Sequence, residues 1–322
     1  MKTLFRTICA TVGACLSVAG SALALDGWVE DFAQGMATAS AEGRVALVEF
    51  TGTDWCFYCI KLRENVLPTE EFAEFTKKNN LVLIELDFPR AKDKVTPEQS
   101  AERDRLAKLY NVQGFPTMLV VDGYGQPYGR IVGGASSAAE YIKRLQSALD
   151  VKAAYDEKVA AADKLTGKER MEALQAALNV LPQDCRALHT KLQDAIIESD
   201  PEDSTGLRKK KEEQQLLDKQ IAETKDAVQA ALNGRKLADA LPEARAAALE
   251  QLKRDDLLPF IRLSMNAFVS QTFLGEEKYE EALSYMDAAI ESAPDSPEAD
   301  KMRKGRKDFV EYIEKQKKAG NK

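Results

Sequence analysis

Cysteine is scarce in this chain, five among 322 residues, and histidine is scarcer, with His189 alone. Cys9 and Cys15 fall in an N-terminal stretch that reads as a removable leader, so Cys56, Cys59 and Cys185 remain. Three thiols in so long a chain do not make the disulfide scaffold of a small exported domain. Metal chemistry is limited in the same way. Cys185 and His189 could share one face of a predicted helix and, with Cys56 and Cys59, would complete a zinc set of three cysteines and one histidine. No spacing brings the two halves together, so no metal or cofactor is expected and both residues are read as packing groups. Long apolar runs are missing beyond the N-terminus, where nothing approaches the roughly 20 residues of a membrane span. A positive excess is missing too: 52 acidic against 45 basic residues leave a formal charge of −7, and loss of Lys2 and Arg6 with the leader makes it −9. Such a surface argues against nucleic acid as a partner.

The leader begins Met1-Lys2-Thr3-Leu4-Phe5-Arg6, continues through an apolar stretch from Ile8 to Ala19, and ends in Ala22-Leu23-Ala24, a small-x-small cleavage pattern. Residues 1–24 are therefore expected to be a signal peptide and the mature protein periplasmic or secreted. The alternative uses Val12-Gly13-Ala14-Cys15 as a lipoprotein signal and anchors the chain by a lipid on Cys15. Length predicts roughly two domains. Composition changes near Asp150, from β-branched and aromatic runs punctuated by glycine to a sequence rich in Ala, Leu, Glu and Lys. The expected domains are 25–150 and 151–322.

The most informative segment is Asp54-Trp55-Cys56-Phe57-Tyr58-Cys59-Ile60-Lys61, which follows the apolar run Val45–Phe50 and opens a helical pattern with Leu62, Val66 and Leu67. Residues i and i+3 on a first helical turn lie roughly 5–6 Å apart, the Cα separation of an unstrained disulfide. The pair can open and close with little backbone movement. Strand-like runs are predicted at Val45–Phe50, Leu81–Asp87, Thr117–Asp122 and Gly129–Val132, the last two joined as a hairpin by Asp122-Gly123-Tyr124-Gly125. Helical patterns fall at Gly27–Ala41, Cys56–Val66, Glu70–Lys78, Glu98–Tyr110 and Ser137–Leu149. The alternation indicates an α/β domain with a mixed sheet.

Over roughly Leu25–Asp150 the chain resembles the thioredoxin superfamily, in particular its exported thioredoxin-like proteins. The matching features are a strand followed by Trp-Cys-x-x-Cys, then Lys61, then Gly114-Phe115-Pro116-Thr117 before a strand, then Gly133-Gly134 before a final helix. The resemblance implies that Pro116 is cis and faces the dithiol, and that the Phe115 backbone pairs with an extended substrate segment. Trp55, Phe57, Tyr58, Phe115, Pro116 and Thr117 are the expected substrate-binding residues. Cys56, at the helix N-terminus where unpaired amides and the helix dipole favour an anion, is the candidate nucleophile. Cys59, one turn further in, is the candidate resolving thiol.

Thioredoxins carry a buried carboxylate six residues before the first cysteine. That offset falls on Phe50, with Glu49 one residue further back, and an insertion within Thr51-Gly52-Thr53 would restore the placement. Glu49 is then a general base for Cys59, its pKa raised by desolvation. The alternative, an exposed strand glutamate, stays open because so short a run fixes its face poorly. Phe57 and Tyr58 supply no cation for a thiolate and Asp54 opposes one, which points to a reductase or isomerase rather than a strong oxidant.

In the C-terminal half, Tyr279–Leu283, Tyr285-Met286, Ala289-Ile290 and Pro294, preceded by Val269 and Phe273, resemble a tetratricopeptide helix pair. A weaker copy involves Met171, Leu174, Ala177-Leu178 and Pro182, with Tyr155–Ala161 before it. Leu216–Leu232 and Leu237–Phe260 are helical without matching the repeat, and Arg208–Glu213 reads as a solvated loop or helix face. The expectation is an all-α domain of helical hairpins, which either receives a peptide or protein on a concave face or is a plain bundle that only packs on the catalytic domain.

The expected function is an exported thiol:disulfide oxidoreductase acting on protein disulfides or thiols, with no cofactor beyond the Cys56–Cys59 pair. A membrane-bound redox partner would resupply electrons. The alternative is a noncatalytic adaptor or chaperone-like module with a structural or sensing disulfide.

Overall fold

The computed structural model describes residues 27–91, 93–232 and 237–320. The expected signal peptide, with Cys9 and Cys15, lies outside the described residues. The chain divides into two compact units, the first ending at Glu202 and the second beginning at Asp203.

The first unit is built on a five-stranded sheet in the order β1-β3-β2-β4-β5, from β1 (Trp28–Val29), β2 (Ala46–Thr51), β3 (Val82–Asp87), β4 (Thr117–Val121) and β5 (Pro127–Val132). β1 and β2 run parallel to β3, whereas β4 is antiparallel to both β2 and β5. The sheet is mixed, as the strand patterning predicts. All six residues of β2 are buried, so this central strand is covered on both faces. Its alternation sends Leu47 to one side with Met118, Val120 and Ile131, and Ala46, Val48 and Phe50 to the other with Ile84 and Leu119.

Helices α2 (Phe57–Asn65), α3 (Glu70–Lys78) and α5 (Ala138–Ala162) cover the Leu47 side through Leu62, Phe72, Phe75, Tyr141 and Leu145. The opposite side carries α1 (Phe32–Glu42) and α4 (Pro97–Leu109) through Ala39 and Leu106. The caps explain the sharp ends. Asp31 accepts from the Gln34 amide at 2.9 Å, Gly43 closes α1 in the left-handed region with φ 63°, and Thr96 and Gln99 form a capping box ahead of Pro97.

Trp28 departs from expectation. Its spacing to Phe32 and Met36 suggests one helix, yet it lies in β1 and stacks on Phe72 at 6.5 Å on the Leu47 side, while Phe32 and Met36 pack on the other. Asp31 caps the helix behind it, so the apparent periodicity spans two elements. α5 also outruns its predicted end at Leu149 and continues to Ala162. Position 150, the expected domain boundary, thus lies inside a continuous helix. α6 (Gly167–Val180), α7 (Gln183–Arg186) and α8 (Thr190–Ser199) complete the first unit.

The second unit comprises α9 (Leu207–Leu232), α10 (Leu237–Leu252), α11 (Pro259–Gly275), α12 (Tyr279–Ser292) and α13 (Pro297–Gly320). α11 and α12 pack as a hairpin whose close approach is at Ala282, where the carbonyl accepts the Ser270 hydroxyl at 2.8 Å. Phe273 stacks on Tyr285 at 5.6 Å beside it. The helix expected over 237–260 is interrupted, because buried Gln220 engages the intervening segment: its amide donates to the Asp256 carbonyl at 2.7 Å and its oxygen accepts from the Leu258 amide at 2.8 Å. Pro259 then restarts the helix at a position where no amide hydrogen is needed.

Candidate functional site: a dithiol at a helix N-terminus

The turn from β2 into α2 is tied down on both flanks. The Thr53 amide and hydroxyl both donate to Asp87, at 2.8 and 2.7 Å, and the Cys56 amide donates to the Gly52 carbonyl at 2.9 Å. A Cβ on Gly52 would meet the Trp55 indole at 2.7 Å, so glycine is what lets Trp55 fold back over the turn. Trp55 donates its indole N–H to the Phe88 carbonyl at 2.7 Å and takes the Arg90 guanidinium over its ring at 5.0 Å. Asp54 accepts from the Arg90 and Ala91 amides at 3.0 and 3.2 Å and meets Lys94 at 3.5 Å. These donors hold its carboxyl below the usual range. The negative charge that sequence reasoning sets against a thiolate is already engaged by the 90–94 segment.

Cys56 is the N-cap of α2, its sulfur accepting from the Cys59 amide at 3.3 Å. The two cysteines are joined as a disulfide with a Cα separation of 5.2 Å. Cys56 is 7% exposed and Cys59 1%, so the first sulfur lies nearer solvent and the second is covered. Phe57 and Tyr58 are each 64% exposed, an unusual amount of aromatic surface beside a reactive pair.

The Phe115–Pro116 peptide is cis. Phe115 packs edge-on to Trp55 at 5.7 Å and against Phe88 at 5.0 Å, which brings the 114–117 segment against the dithiol turn. Pro116 accepts the Gly133 amide at 2.8 Å, and Thr117 donates its hydroxyl to the Gly114 carbonyl at 2.8 Å. A Cβ on Gly134 would lie 3.6 Å from the Tyr58 carbonyl. Three segments distant in sequence therefore converge around α2.

Glu49 is 1% exposed, which removes the alternative of a solvent-facing strand glutamate. It alternates with Leu47 and so points to the side of the sheet covered by α2 and α5. Neither carboxyl oxygen meets a donor at full hydrogen-bond geometry, and the Thr51 hydroxyl on the same strand only weakly favours the charged form. Burial, reinforced by Glu85 and opposed by Arg63, pushes its pKa up to about 8. Sequence reasoning missed Glu85 and Arg63. Glu85 stands opposite Glu49 in the β2–β3 register, and Arg63 reaches it from the dithiol helix. Their acid and base character is visible in the sequence, but their proximity depends on that register.

Cys185 and His189 do not share a helix. Cys185 lies in α7 and His189 precedes α8. The His189 ring meets the Pro127 carbonyl through Nε2 at 2.8 Å and packs against Tyr128 and Tyr155 at 5.0 and 5.2 Å. Burial pushes the Cys185 thiol up to about 12. Among the described residues no cluster of three or more His, Cys, Asp or Glu side chains could hold a metal.

A strand, a dithiol capping the next helix, and a cis-proline segment packed against that turn define the thioredoxin class of fold. A family profile described as a thioredoxin-like domain matches residues 32–149, and this chain belongs to that family. It is similar to the disulfide bond reductase DsbH of Chlamydia pneumoniae, 30% identical over 123 residues that make up 38% of this chain and 73% of that protein. A solved DsbH oxidoreductase is 30% identical, covering 38% of this chain and 83% of its own, with a TM-score of 0.36. A thioredoxin from Thermus thermophilus is 28% identical, covering 37% of this chain and 83% of its own, with a TM-score of 0.29.

Proposed function

We propose that the protein is an exported thiol:disulfide oxidoreductase, leaning to reductase or isomerase, that acts on protein disulfides. The observation that carries this reading is Cys56 at the cap of α2, its sulfur already in the position where a helix amide donates to it. The same donor and the helix dipole favour a thiolate once the disulfide is reduced. The Cys56 thiolate attacks one sulfur of a client disulfide and expels the other as a thiolate. Cys59 then gives its proton to Glu49 and attacks the Cys56 sulfur, which breaks the bond to the client. The client gains two electrons as two thiols, and the chain keeps the Cys56–Cys59 disulfide.

Trp55, Phe57, Tyr58 and Phe115 form the client-facing surface in this reading, with Pro116 and Thr117 of the same substrate-binding set buried behind them, supported by the exposure of Phe57 and Tyr58 and the packing of Phe115 on Trp55. The reductive direction is supported by the name of the Chlamydia relative and by the absence of a cation at the two residues between the cysteines. Repeated turnover requires an electron donor, for which a membrane-bound reductase is proposed. The leader at 1–24 supports a periplasmic or secreted location, and no helix among the described residues is long and apolar enough to cross a membrane. The thioredoxin-like domain is assigned to 25–150. The region 151–322 is assigned a tetratricopeptide-like, client-recruiting role, which the apolar groove lined by Ile221, Val228, Phe260, Met265 and Phe268 supports.

The test is reduction of a model protein disulfide by the dithiol form, with and without Cys56→Ser. Turnover by the wild type and its loss in the variant are expected. Equal activity in both would overturn the proposal and favour a noncatalytic adaptor.

A further inference from the structure

Glu49 and Glu85 are register partners on adjacent parallel strands, both almost fully buried, so their side chains leave the same face of the sheet side by side. Two carboxylates this close cannot both ionise without a large penalty, and a cation given to one of them decides which. The cation is Arg63. Its Nη1 donates to Glu85 Oε2, and both side chains are largely withdrawn from solvent, at 22% and 8% exposure. Arg63 sits one turn beyond Cys59 on α2. One ion pair therefore joins the dithiol helix to the strand beside Glu49. We propose that Arg63 and Glu85 are positioning residues for proton transfer at Cys59: the ion pair sets how readily the neighbouring Glu49 loses its proton to solvent, so that the ionised Glu49 can accept the one Cys59 releases.

The neighbours of Glu49 are consistent with a controlled charge. Glu85 and Asp87 face it from β3 and raise its proton affinity, while Arg63 from α2 lowers it. Tyr141 faces it from α5, its hydroxyl unpaired and its own ionisation opposed by burial and by the Glu49 charge. β4 contributes the apolar Met118 opposite Glu49. Arg63 is thus the one cation among these groups, and Glu85 the anion nearest in register. Removing each should shift Glu49 in opposite directions. Glu85→Gln deletes the like charge beside Glu49, so Glu49 ionises more easily. Arg63→Gln deletes the cation and leaves two competing carboxyls, so Glu49 holds its proton to higher pH.

The inference rests on Glu49 serving as the base for Cys59, and the experiment separates the two ideas. The Glu49 carboxyl is titrated by carbon-13 NMR in the full-length oxidised protein labelled at glutamate, its signal identified by its loss in Glu49→Gln. The pH profile of disulfide turnover is measured on the same variants. Glu85→Gln is expected to lower the Glu49 midpoint, and Arg63→Gln to raise it, each by at least about one pH unit. Arg63→Lys should stay near wild type, and the turnover profiles should move with the midpoints. If Arg63→Gln does not fold, Glu85→Gln and Arg63→Lys still decide the matter. An unmoved midpoint in Glu85→Gln, or shifts of the same sign in Glu85→Gln and Arg63→Gln, would overturn the inference. A wild-type pH profile in Glu49→Gln would instead remove the base role itself. A changed profile in Glu49→Gln with unchanged profiles in both partner variants removes only the role given to Arg63 and Glu85.

Discussion

The Cys59 amide donates to the Cys56 sulfur across one helical turn, at 3.3 Å, while the Cys59 sulfur itself is 1% exposed. Joined as a disulfide, the two sulfurs differ in access, with Cys56 7% exposed at the helix cap and Cys59 covered. Cys59→Ser is therefore expected to halt the reaction after the first exchange and accumulate a client joined to Cys56. Mass spectrometry of adducts that a reductant releases would detect them, and an adduct carried by Cys185 in place of Cys56 would contradict the assignment.

Phe57 and Tyr58 pack edge-on to each other and present exposed aromatic surface, with Lys61 Nζ 6.0 Å from the Phe57 ring centre. Replacing both by serine should leave stability within about 0.5 kcal/mol, as for most surface substitutions. The KM for a protein disulfide should rise several-fold, with little change for a small-molecule disulfide that cannot span the surface. Equal effects on both substrates would place the role of these rings elsewhere.

Glu49 is a stability liability at alkaline pH. Its pKa is raised from 4.5 to about 8 in the folded protein, so the native state binds the proton more tightly than the unfolded chain. The stabilisation is fully present below about pH 4.5 and is lost as pH rises through about 8. Glu49→Gln should consequently be more stable than wild type at pH 9, by a few kcal/mol, and the gap should shrink toward pH 5. Urea denaturation at the two pH values measures this, and a gap independent of pH would contradict the buried placement of the charge.

His189 behaves in the opposite sense. Burial lowers its pKa below 6.5, so the unfolded chain takes up a proton that the native ring refuses, and stability falls as pH drops below about 6.5. His189→Ala removes the bond to the Pro127 carbonyl and three-ring packing with Tyr128 and Tyr155, and should cost about 3 kcal/mol at pH 7. The deficit should narrow at pH 5, because the variant has no ring to protonate. Thermal melts at both pH values would show it.

Some of this was legible in local sequence. The strand runs ending at Phe50 and Asp87, the helix at Glu70–Lys78, the hairpin around Asp122-Gly123 and the dithiol at a strand-to-helix junction each declare themselves within a window of a few residues. Periodicity, caps and turn residues act at that range. Trp28 shows where the window misleads, since a helical spacing ran across a capped boundary into a separate strand.

What the chain determines alone is therefore the chemistry available: two thiols one turn apart, a carboxylate on the preceding strand, aromatic residues around them, and a helical second half. Tertiary structure decided which of these groups meet. The burial of Glu49, its place beside Glu85 and the reach of Arg63 depend on strand register and helix packing. The course of α5 through position 150 and the break held by Gln220 between α10 and α11 are likewise settled by contacts with other elements. Local propensity is set by neighbours in the chain, whereas charge, desolvation and proton affinity are set by neighbours in space, and only folding makes those neighbours.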